Sequence, residues 1–149
     1  MTFGGSVLSI AASATVGARV AKPSYSIDGL ACRGFAATVA EFNRAFGQSW
    51  GEGYWHGDLD VYDYIIDWPN DGEPYALVWW ESEASRSQLG HQAMACWLRN
   101  KLGHCLPDAP ARNEWQRKLE DAERGRGPTL FDWLVEIVQE HPQIELRLV

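Results

Sequence analysis

Tyr75-Ala76-Leu77-Val78-Trp79-Trp80 is the stretch on which the fold turns: six consecutive residues without a formal charge, bounded by Pro74 and Glu81. The run is short for a helix and does not alternate, so it reads as a buried parallel strand with Trp79 and Trp80 inside the core. Towards the N-terminus, Pro69-Asn70-Asp71-Gly72 breaks a helix expected over Leu59 to Trp68. Phe35, Val39, Phe42 and Phe46 recur at helical spacing, with Gly47 as the expected stop. Tyr25-Ser26-Ile27-Asp28 alternates apolar with polar before Gly29, which predicts a short strand. Towards the C-terminus, Thr129 can cap a helix with core positions Leu130, Leu134, Ile137 and Val138, and Ile144, Leu146 and Leu148 alternate as a last strand. Strands separated by helices predict an α/β fold, a small three-stranded parallel sheet packed with helices.

Between the middle strand and the last helix, Ser82 to Pro128 predicts two further helices. Leu89, Ala93, Trp97 and Lys101-Leu102 mark one, and Trp115, Leu119 and Ala122 the other, with Asn113 and Gln116 as its capping box. Trp97 and Trp115 are expected to pack against the sheet. The chain of 149 residues suits one domain, residues 24–149, with this helical insertion at about 83–128. Residues 1–23 are rich in small side chains and read as a flexible leader, since an export signal would carry an earlier cation than Arg19.

A net charge of −7 opposes binding to nucleic acid or to an anionic membrane, and no apolar run is long enough to span a bilayer. Cys32, Cys96 and Cys105 match no disulfide framework or metal knuckle, which predicts a reducing cytoplasm, and no cofactor is implied. The charge is unevenly placed. From Ala45 to Ser85 there are nine acids and no Lys or Arg, leaving 11 acids against 13 bases elsewhere. An acidic surface patch follows.

Asp60, Asp63 and Asp67 stand at i, i+3 and i+7, so a helix would project all three from one face, with Leu59, Tyr62, Ile65 and Ile66 opposite. Crowding like charges costs about 0.2 to 0.5 kcal/mol per neighbouring pair, which a basic partner would turn into attraction. Tyr54, Trp55, Tyr64 and Trp68 flank the stripe and are the aromatic types enriched in hot spots. The plainer reading is a solvated helix face with its aromatics in the core.

Tyr54-Trp55-His56-Gly57-Asp58-Leu59-Asp60, running into Asp63 and Trp68, resembles the inhibitory loop and helix of the barstar family, intracellular inhibitors of microbial ribonucleases such as barnase. The order of elements is similar too. The resemblance implies an immunity protein or antitoxin, cytoplasmic and monomeric when free, that blocks a basic ribonuclease or related toxin and touches no nucleic acid itself. It places Asp63 in the enzyme's phosphate site, Asp60 at the rim, and Glu136 of the last helix against a further base, with Tyr54 and Trp68 sealing the edge. There are departures. Asp58 replaces the usual Asn, Asp67 stands before Trp68 where a small residue is usual, and Asp60 to Trp68 is one residue shorter, so either Asp63 or Tyr64 falls at the key acidic position.

The rival reading is a carboxylate- or metal-dependent hydrolase using Asp58, Asp60 and Asp63. Against it, Asp60 and Asp63 share one helix face instead of facing each other across a cleft. His91, Cys96, His104 and Cys105 form a second candidate cluster, but the step of five from His91 to Cys96 parts them on a helix.

Overall fold

The computed structural model describes residues 22–51 and 53–149; the leader expected at residues 1–23 lies almost entirely outside them. In chain order the elements are β1 (Ser24–Asp28), α1 (Phe35–Trp50), α2 (Leu59–Ile65), β2 (Tyr75–Trp80), α3 (Ser82–Gln88), α4 (His91–His104), α5 (Arg112–Glu123), α6 (Leu130–Gln139) and β3 (Ile144–Leu148). The strands form one parallel sheet in the order β1-β2-β3. This is the expected α/β fold, a three-stranded parallel sheet with helices and a helical segment between β2 and α6.

Register explains the layers. Ile27 pairs with Trp79, Tyr25 with Leu77, and Leu77 with Leu146, and these side chains join the core with residues of α1, α2, α4, α5 and α6. The opposite face carries Ser24, Ser26, Asp28, Glu145 and Arg147 around the buried Ala76 and Val78, and among the described residues it is open at its edges. Trp80 falls on that open face and is 49% exposed, which corrects its expected burial; strand parity separates it from Trp79. Gly29 follows β1 where a Cβ would meet the Trp80 and Glu81 carbonyl oxygens at 2.2 Å, so only glycine allows this approach.

Four local expectations change. Helix α1 continues through Gly47 to Trp50, whose burial beside Phe42 and Phe46 outweighs the roughly 1 kcal/mol that a helical glycine costs. Helix α2 stops at Ile65, short of Trp68. The insertion holds three helices, because Ser82–Gln88 forms α3 and Leu89 is its buried cap. The Asn113/Gln116 capping box does not form; α5 starts after Ala111 with no side-chain cap. By contrast Thr129 caps α6 as its sequence suggests, in a reciprocal box with Asp132.

The inserted helices belong to the same core. Met94, Ala95 and Leu98 of α4 and Leu119 and Ala122 of α5 are buried within it. Trp97 and Trp115, expected against the sheet, are partly buried and pack against this core. Trp97 contacts α6 and the loop before α2. Its ring meets Trp133 of α6 edge-on at 5.2 Å, and its indole N–H donates to the Gly57 carbonyl at 3.0 Å.

Candidate functional site

The loop before α2 is fixed from below. Asn43 of α1 donates to the Trp55 carbonyl at 2.8 Å and accepts the Trp55 N–H at 3.0 Å, tying the loop to α1. Trp55 is only 1% exposed, packs against Phe35, Phe42, Trp50 and Tyr62, and donates its indole N–H to the Asp58 carbonyl at 2.8 Å. Its expected place at the contact surface is therefore corrected: the ring is core, and it sets the loop's height. Gly57, at φ +104°, passes so close to Phe35 that a Cβ would stand 2.9 Å from the ring.

Asp58, partly exposed, is also engaged within the protein. Its carboxylate caps α2, accepting the Asp60 N–H at 2.9 Å and the Val61 N–H at 3.1 Å, and pairs with Lys101 of α4 at 3.2 Å. Partial burial would raise its pKa, but the Val61 amide and the Lys101 ammonium outweigh burial and hold it below the ordinary aspartate value. Asp58, a candidate partner-binding residue from the barstar-like motif, is thus a helix cap whose side chain is still 43% exposed.

On α2 itself Leu59, Tyr62 and Ile65 are buried while Asp60, Asp63 and Tyr64 face solvent, as the periodicity requires. The buried Tyr62 hydroxyl has no hydrogen-bond partner among the described residues. Asp67 lies two residues beyond the helix, but it still converges with Asp63. The link is His141, just past α6: its Nε2 stands 2.8 Å from Asp63 Oδ1 and its Nδ1 2.8 Å from Asp67 Oδ1. Gln143 also donates to Asp67 Oδ1. The His141 side chain is only 13% exposed, against 53% for Asp63. Burial alone would lower its pKa; the hydrogen bonds and charges of the two carboxylates overcome burial and raise it above the ordinary histidine value. Only the protonated ring donates from both nitrogens, so this geometry favours imidazolium. The expectation of an uncompensated acidic stripe is corrected to one in which a single titratable cation holds two of three carboxylates.

Beside this clamp lies an exposed aromatic group. The Trp68 ring is 5.6 Å from each of Tyr54 and Tyr64, which are 46% and 69% exposed. Glu136 is exposed on α6, the helix that packs against α2. The surface thus joins Asp60, Asp63, Tyr64, Asp67, Trp68 and Tyr54, with both candidates for the key position, Asp63 and Tyr64, facing solvent. His141, Gln143 and Lys101 were not anticipated; they lie 43 to 78 residues from their partners, and no local pattern marks them.

Among the described residues no group of three or more His, Cys, Asp or Glu side chains is arranged to hold a metal ion. The candidate histidines of the insertion are engaged with backbone, His91 with the Gly127 carbonyl and His104 with the Asn100 carbonyl, each at 2.8 Å. Cys105 takes a hydrogen bond from Arg112 at 3.1 Å. No described helix is long and apolar enough to cross a membrane. Compared with protein-family models, with curated proteins and with solved structures, the chain matches none.

Proposed function

We propose that this protein is a barstar-like inhibitor, an immunity protein or antitoxin that blocks a basic ribonuclease with the exposed end of α2 inside the producing cell. The observation that carries the reading is the juxtaposition of Asp60, Asp63 and Asp67 with the open aromatic group Tyr54, Trp68 and Tyr64. A ribonuclease must hold an RNA phosphate with cationic side chains, and that basic hole is complementary to such a surface.

In this reading Asp63 enters the phosphate site. One of its oxygens is bonded to His141 and the side chain remains half-exposed, so a guanidinium or ammonium can reach it. Asp60 adds charge at the rim, Glu136 meets a further base, and the three aromatics exclude water around them. The inhibitor performs no bond-making step. Trp55 and Asp58 act indirectly, by fixing the loop and the start of α2.

Binding to a panel of basic, barnase-like ribonucleases, including any encoded beside this chain, tests the proposal. Association should be fast at low ionic strength and slow markedly as salt rises, because the patch steers a cation from a distance. A rate indifferent to salt, or no complex with any member, would remove the reading.

A further inference from the structure

A cleft of about 890 Å³ opens between α4, the Arg33–Phe35 turn into α1, and the His56–Asp58 loop. Its size lies in the range of small-ligand sites, roughly 300 to 1,000 Å³. One face of α4 lines it, with Gln92, Cys96, Asn100 and His104 at steps of four. The charge of the lining is opposite to that of the protein. Arg33, Arg99 and Lys101 stand there against a single carboxylate, Asp58, three cations less one acid giving a formal +2 in a chain of −7. His56 and His104 on the same walls can only add to it.

Internal pairing engages two of the three cations. The Lys101 ammonium also lies 5.8 Å from the Trp97 ring and 5.4 Å from the Trp115 ring, but the Arg99 pair is exposed enough for an anion to exchange with it. Asp58 engages Lys101, while Arg99 is held by Glu123, which is not part of the lining, and both partners of that pair are about half-exposed. Arg33 makes no ion pair among the described residues, and it is exposed. Cations lining one concave surface repel one another, and an anion bound there relieves that repulsion.

We propose that this cleft binds a small phosphomonoester. Arg33, and Arg99 on exchanging its exposed Glu123 partner, offer two guanidinium forks to a tetrahedral dianion, and Lys101 adds charge beside them. The partly exposed Trp97 ring lines the cleft with Gln92 and Asn100, and its Lys101 and Trp133 neighbours leave an organic group to lie along the ring's open edge. The site is independent of the inhibitor reading. It opens at the start of α2, whereas the Asp63 clamp lies about 7 Å further along the axis of that helix.

The test is an NMR titration of the full chain with adenosine 5′-monophosphate and with glucose 6-phosphate, following the Trp97 indole N–H, with inorganic phosphate and adenosine as controls. At least one ester should give saturable shifts confined to the cleft, and the choice between esters identifies the source of the phosphate. Arg33→Glu and Arg99→Gln, each checked for an unchanged melt, should weaken that binding tenfold or more. Three results would overturn the proposal: no saturable shift with either ester up to about 10 mM, binding untouched by both substitutions, or inorganic phosphate or adenosine alone binding as tightly as the esters.

Discussion

The two ends of α2 carry the same kind of side chain and hold it in opposite ways. At the N-terminal end Asp58 and Asp60 stand where the helix dipole favours negative charge, and Asp58 is satisfied by two backbone amides and Lys101. At the C-terminal end Asp63 and Asp67 face the unfavourable pole, lie close together, and share one titratable cation, His141. The first arrangement serves folding. The second leaves two carboxylates on one cation at an exposed surface beside open aromatics, the feature on which the proposed inhibitor reading rests. Acid count alone does not separate them; what covers each acid does.

The largest expected effect of breaking this contrast is on binding. Asp63→Ala should cost on the order of 5 kcal/mol of affinity for a ribonuclease partner, by leaving buried cations unpaired, with Asp60→Ala and Glu136→Ala on the order of 1 to 3. Calorimetric titration of the variants checks the ranking. Should Tyr64→Ala abolish binding while Asp63→Ala is silent, the key position belongs to Tyr64. Next comes the scaffold beneath both ends. Trp55→Ala empties a core site and should lower stability by about 3 to 5 kcal/mol in urea denaturation, with affinity falling only as the loop loosens.

A smaller effect reports on His141. Its folded pKa is raised, so its contribution to stability is fully present below the unfolded value of about 6.5 and is lost as pH rises through the folded pKa. Because the two carboxylates are partly exposed, the change should be about 0.5 to 1 kcal/mol. Urea melts from acidic to alkaline pH should show this decline in the natural protein and not in His141→Gln; equal slopes would contradict the clamp. Smallest of all, Lys101→Met removes a partly exposed bridge to Asp58 and should cost less than about 1 kcal/mol of stability. It should leave ribonuclease affinity unchanged, which separates the folding end of α2 from the binding end.

Legibility followed the range of the interactions. Strand β2, the Thr129 cap of α6 and the alternation of β3 are local patterns, and each was readable because neighbours in sequence decide it. The buried side of α2 followed from period in the same way. Helix α1 overran Gly47 because Trp50 is anchored by a hydrogen bond from its indole to the Ile65 carbonyl, 15 residues away. Trp55 and Trp80 were misplaced for the same reason, since aromatic residues suit both core and surface and only packing chooses. Nothing in the Glu140-His141-Pro142 stretch indicates that this ring closes on α2.

Inhibition by the C-terminal end of α2 is the central expectation for this protein. The most direct measurement is titration of a cognate basic ribonuclease, followed by RNA cleavage at low and high salt. The account predicts that activity falls linearly to zero at one equivalent, that the chain alone cleaves no RNA, and that Asp63→Ala shifts the end point far more than Lys101→Met does. Full ribonuclease activity in excess natural protein, or equal inhibition by the Asp63→Ala variant, would contradict it.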